Sequence, residues 1–67
     1  MERIPIDSKA IVSAGWVKDT LEVEFPNGDV YQYSPVSEKQ YQDMLSAPSV
    51  GSYFMRNIRA HVRGVRA

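Results

Sequence analysis

Four arginines close this sequence at a spacing suited to phosphate chemistry. Arg56, Arg59, Arg63 and Arg66 follow one another at intervals of three, four and three residues. Carried on one continuing helix, they would form a stripe able to track a phosphate backbone, each contact adding salt-dependent affinity. The competing reading is a solvated face whose charges offset acids elsewhere while the side-chain stems cover apolar surface. Tyr31 and Tyr33 share one face of a strand, and aromatic rings on a sheet can stack unpaired bases. That face is also the more apolar one, so core packing with hydroxyls reaching the edge competes with stacking.

Other residues offer less. Ser49-Val50-Gly51-Ser52 opens a helix, where free N–H groups at Ser49 and Gly51 could receive an anion. Capping alone accounts for Ser49, and Gly51 would permit close helix packing. Trp16 is the single tryptophan and suits the anchor of a protein interface. Glu22 and Glu24 share a strand face that reads as solvent surface. His61 is the only histidine and there is no cysteine, so no metal set can be assembled around it. Ser8, His61 and Asp7 are the residue types of a catalytic triad, but nothing in their spacing gathers them. A nucleophile elbow and a Gly-rich phosphate loop are both absent. No cofactor is expected.

Any such chemistry must be positioned by a small frame. The 67 residues make a single domain over 1–67, which buries only about 60% of its unfolded surface. Without cysteine, packing, turns and caps must supply the stability, and the chain suits the reducing cytoplasm. The opening residues Met1 to Pro5 precede no apolar run, so neither a signal peptide nor a membrane helix is expected. Net charge is zero but unevenly spread. Residues 1–45 carry −4, whereas residues 46–67 carry +4 and hold only arginines among their charged side chains.

The elements follow from periodicity. Ala10–Lys18 reads as a first strand, with Gly15 a bulge or a place of close backbone approach, and Asp19-Thr20 turns the chain. Residues 20–25 alternate strictly, pointing Leu21, Val23 and Phe25 inward and Glu22 and Glu24 to water. Pro26-Asn27-Gly28-Asp29 makes a hairpin turn into a third strand, Val30–Ser34. Ser37 and Gln40 form a capping box, Val36 and Tyr41 a staple, and Tyr41, Met44 and Leu45 an amphipathic stripe. Pro48 stops that helix and Ser49 caps a second, with Val50, Phe54, Ile58 and Val62 recurring every four residues. Gly64 should weaken its last turn. The reading is α+β: a three-stranded antiparallel meander under two C-terminal helices, in the order β-β-β-α-α.

From Ser8 to Arg59 these residues resemble the KTSC domain family. It is named for an extra C-terminal domain of some lysyl-tRNA synthetases and also occurs as free-standing bacterial and phage proteins. The likeness runs through Ser8, Ile11, Ala14-Gly15-Trp16, Leu21–Phe25, Gly28 and Tyr31-Gln32-Tyr33, the family's YxY signature. It continues through Val36, Tyr41, Leu45, Ala47-Pro48-Ser49, Gly51, Phe54 and Ile58-Arg59. Trp16 in place of the family's tyrosine and the Val-Arg-rich end past Arg59 are departures. The resemblance implies a β-meander with two helices, and its synthetase context points toward RNA.

Two functions are therefore expected in competition. One is a non-enzymatic RNA-binding or other nucleic-acid-binding module using the arginine face, aided by Tyr31, Tyr33 or Trp16. The other is a protein-interaction domain, such as a bacterial or phage adaptor. It would act through Trp16 or the acidic side of the sheet, with self-association as a special case.

Overall fold

The computed structural model describes all 67 residues, in the element order strand β1 (Ile4–Pro5), β2 (Ser13–Val17), β3 (Thr20–Glu24), β4 (Val30–Tyr33), helix α1 (Glu38–Ser46), α2 (Val50–Tyr53) and strand β5 (Gly64–Arg66). The strands form one antiparallel sheet in the order β1-β2-β3-β4-β5. The α+β class and the two helical regions hold, but the sheet has five strands where three are expected. The added strands are its edges. β1 contains Pro5, and β5 returns from beyond the helices to pair Tyr31 with Arg66, Gln32 with Val65 and Tyr33 with Gly64.

The three central strands form where alternation predicts them, with shorter ends. β2 starts at Ser13, not Ala10, because the chain before it is held differently: Ile6 N–H donates to the Val12 carbonyl and Val12 N–H to that of Glu24. The β2–β3 turn sits on Lys18 and Asp19, both at positive φ (47° and 64°), one residue earlier than Asp19-Thr20. Two left-handed residues give a turn whose twist matches the strands, even without glycine. At the next hairpin Gly28 N–H donates to the Phe25 carbonyl and Phe25 N–H to that of Asp29, with Gly28 at φ 92°.

Alternation puts Ala14, Trp16, Leu21, Val23, Tyr31 and Tyr33 on one face of the sheet, and the helices cover it. Ile11, Leu21, Val23, Val36, Met44, Phe54 and Ile58 are the largest fully buried side chains. Helix α1 is capped as its sequence dictates: the Ser37 side chain accepts from Gln40 N–H, and the Gln40 side chain accepts from Ser37 N–H. Val36 ties this corner to the sheet, donating its N–H to the Asp19 carbonyl and accepting the Trp16 indole N–H at 2.7 Å.

The second helix changes character. After α2 it widens into a π-helical segment, Phe54–Arg59, with buried Phe54 and Ile58. The four-residue apolar spacing supplies the reason. On a regular α-helix, residues four apart drift by about 40° around the axis at each step. The wider turn reduces that drift and keeps Phe54 and Ile58 on the core, with Val62 packed beside them. Helical structure then ends at Ala60, so no single helix carries all four arginines.

The opposite face of the sheet corrects another expectation. Glu22 is buried, at 8% exposure, not solvent surface. Arg3 lies over it and pairs with its carboxylate, Gln32 Nε2 donates to the other oxygen at 2.9 Å, and Ser13 Oγ donates to Glu24 at 2.9 Å. The N-terminal segment crosses so closely that a side chain at Gly15 would strike the Glu2 carbonyl, the close approach expected there.

The hydrogen bond from Gln32, aided by Arg3, holds the Glu22 carboxyl below its ordinary value of 4.5 despite the opposing cost of burial. A depressed folded value means this stabilisation is present above the ordinary value and disappears as pH falls through the depressed one. We therefore expect Glu22→Gln to be less stable than the parent near neutrality, with the gap closing in acid. Urea midpoints across that range check it; a gap independent of pH would contradict the assignment.

Candidate nucleic-acid interface

Two concave surfaces flank the helices. The first, of about 400 Å³, is lined by Phe25, Tyr31, Tyr33, Arg59, Val62, Arg63 and Gly64. Its aromatic wall is ordered by contacts. The rings of Tyr31 and Tyr33 lie 6.4 Å apart and 28° from parallel, Phe25 meets Tyr31 edge-on at 5.8 Å, and Phe54 meets Tyr33 edge-on at 5.1 Å. Tyr33 is the floor at 4% exposure, while Tyr31 is half-buried and offers ring surface. Burial pushes the Tyr33 phenol above its ordinary value, and the nearby Arg59 charge pulls the other way.

The arginines are distributed among different elements. Arg59 ends the π-helical segment, Arg63 lies in the connection to β5, and both line the groove without any carboxylate partner. Arg59 instead donates to Met55 Sδ at 3.4 Å. Arg66 sits opposite Tyr31 on the same face but is tied to Asp29 at 2.8 Å. Arg56 lines the second groove. Two of the four arginines thus join the tyrosines, a third stands beside them in an ion pair, and the fourth faces elsewhere.

Gly64 makes this groove. It faces Tyr33 across the β4–β5 pair, and a Cβ there would overlap the phenol ring, with Cζ at 2.7 Å. Glycine is needed so that strand and ring can share the space. Phe25 and Val62 complete the lining although no chemistry singled them out. Strand alternation puts Phe25 on the core side, and the four-residue spacing does the same for Val62.

The remaining candidates have plainer surroundings. Ser49 caps α2, its side chain accepting from Ser52 N–H at 3.2 Å, and Gly51 is buried where α2 approaches Ser8 and Ala10. Trp16 is half-buried against the core with its N–H given to Val36. Asp7 and Ser8 line the second groove, whereas exposed His61 lines neither. No group of three His, Cys, Asp or Glu side chains is placed to hold a metal, and no helix is long and apolar enough to cross a membrane.

Comparison with known proteins agrees with this fold. An uncharacterized protein of Stutzerimonas stutzeri (strain A1501) is 36% identical over 56 residues, covering 81% of this chain and 79% of its own length. The crystal structure of the KTSC domain protein YPO2434 from Yersinia pestis superposes with a TM-score of 0.89 at 33% identity, covering 98% of this chain and 96% of that one. The sequence profile of the KTSC domain matches residues 7–61, so the chain belongs to the KTSC domain family.

Proposed function

We propose that this chain is a non-enzymatic module that binds single-stranded nucleic acid, with RNA as the ligand, in the aromatic groove. The observation that carries the reading is the composition of that groove: stacked Tyr31 and Tyr33 beside Arg59 and Arg63, with no acid in the lining. An unpaired base can lie on Tyr31 while the two guanidiniums reach the flanking phosphates. A volume of about 400 Å³ suits a nucleotide or two and not a duplex. The zero net charge of the chain is no obstacle, because Arg59 and Arg63 pair with no carboxylate and no acid lines the groove beside them.

The test is fluorescence anisotropy with a short single-stranded RNA and its DNA counterpart over a range of salt. Each phosphate contact on a single strand contributes a slope of about −0.7 in log affinity against log salt. Arg63→Ala should flatten the slope by about that amount, and Tyr31→Ala should cost ~1–3 kcal/mol at any salt. Arg56→Ala should change nothing, which separates a groove from a helical stripe. Absence of binding at low salt would end the proposal, and equal losses from Arg56→Ala and Arg63→Ala would move the site.

A further inference from the structure

We propose that the second groove is a separate docking site for an extended peptide segment that alternates apolar and acidic side chains. It is the larger concavity, about 870 Å³, and runs between the N-terminal segment and the corner joining the two helices. Ile4, Ile6, Leu45, Pro48, Val50 and Met55 provide its apolar lining. Ile4 and Met55 are 48% and 45% exposed, so the fold itself leaves this surface open. Such apolar surface lowers free energy only when a partner covers it.

Charge selects the occupant. Lys9 on one wall and Arg56 on the other form no ion pair, and Asp7 is the single acid in the lining. Two cations on two walls match carboxylates spaced along a chain better than the lone head group of an acyl ligand. No aromatic residue lines this groove, so unpaired bases have nothing to stack on, unlike the groove around Tyr31. Ser8 and Ser49 already accept backbone N–H groups, which leaves their hydroxyl protons to donate to carbonyls of the segment. Pro5 removes one N–H from the edge strand, so recognition rests on filled pockets and charge more than on strand addition.

The experiment pans a random-peptide phage library against the full chain, then titrates a synthetic copy of the enriched peptide by NMR. Enrichment of Leu, Ile or Phe interleaved with Asp or Glu is expected, with amide shifts at Ile6, Val50 and Met55. The Lys9→Glu/Arg56→Glu variant should bind at least about tenfold more weakly, while Arg59→Glu/Arg63→Glu binds as the parent does. Both pairs are exposed, so thermal unfolding should confirm that each variant folds. No enrichment, a basic motif, shifts confined to Tyr31 and Val62, or unchanged affinity in Lys9→Glu/Arg56→Glu would each overturn the proposal. Its failure leaves nucleic-acid binding at the other groove untouched, since different residues carry each.

Discussion

Phe54→Ala is expected to cost ~3–5 kcal/mol, a large part of the chain's stability. Phe54 is 1% exposed and stands where the helix meets the sheet, 5.1 Å from the Tyr33 ring and 5.9 Å from that of Phe25. Truncation removes the ring's burial and both aromatic contacts, and leaves a cavity that a sheet held by short turns cannot close. A domain of this length has on the order of 3–10 kcal/mol of stability altogether, and no disulfide supplements it. Urea unfolding followed by Trp16 fluorescence and far-ultraviolet circular dichroism measures the loss. Phe54→Leu, which keeps most of the volume, should lose less than half as much. An unshifted Phe54→Ala midpoint would show that the π-helical segment packs less tightly than its burial indicates.

Gly64→Ala is the second large effect, and its interest lies in removing a site without removing a charge. The added methyl would overlap the Tyr33 ring, which is confined by Phe54 and cannot swing aside. Overpacking of this kind costs ~1–3 kcal/mol. The cheapest relief is for β5 to lift from β4, giving up the Ala67 N–H to Val30 carbonyl bond and the Arg66–Asp29 pair. Arg63 and Val62 would move with it, so the aromatic groove would lose a wall. The expected result is a protein that still unfolds cooperatively, with fast amide exchange at Gln32 and Val65, which pair across β4 and β5, and weakened affinity for the proposed RNA ligand at every salt concentration. Gly64→Ala with parental affinity and slow exchange would show that β5 is not needed to form the groove.

These two residues also show where local reading stops. Phe54 is legible as core: its four-residue spacing with Val50, Ile58 and Val62 marks a buried stripe, whereas the widening of the helix past α is visible only in the fold. Local spacing makes Gly64 a weak last turn of the helix, whereas it lies in β5 against Tyr33, a residue far back in the chain. Strands of two or three residues are too short to display alternation, and Pro5 and Gly64 are unfavourable strand formers. Their pairing follows from which edges the central hairpins leave open. Glu22 differs from its solvent-facing expectation for a related reason: alternation assigns its face correctly but carries no information about Arg3 and Glu2 folding over that face.

The sequence alone determined the central hairpins, the capped first helix, the shared face of Tyr31 and Tyr33, and the family, because each rests on neighbours in the chain or on ordered spacing. It also gathered four arginines and no acid into residues 46–67. Only the tertiary structure decided how the arginines are shared out. An end to the helix at Ala60 and a return through β5 bring Arg59 and Arg63 to the tyrosines, pair Arg66 with Asp29 and turn Arg56 toward the other groove. A spacing of three and four residues describes a face only while one helix lasts. Once the chain turns back to complete a sheet, the sheet's register decides which charges meet which rings.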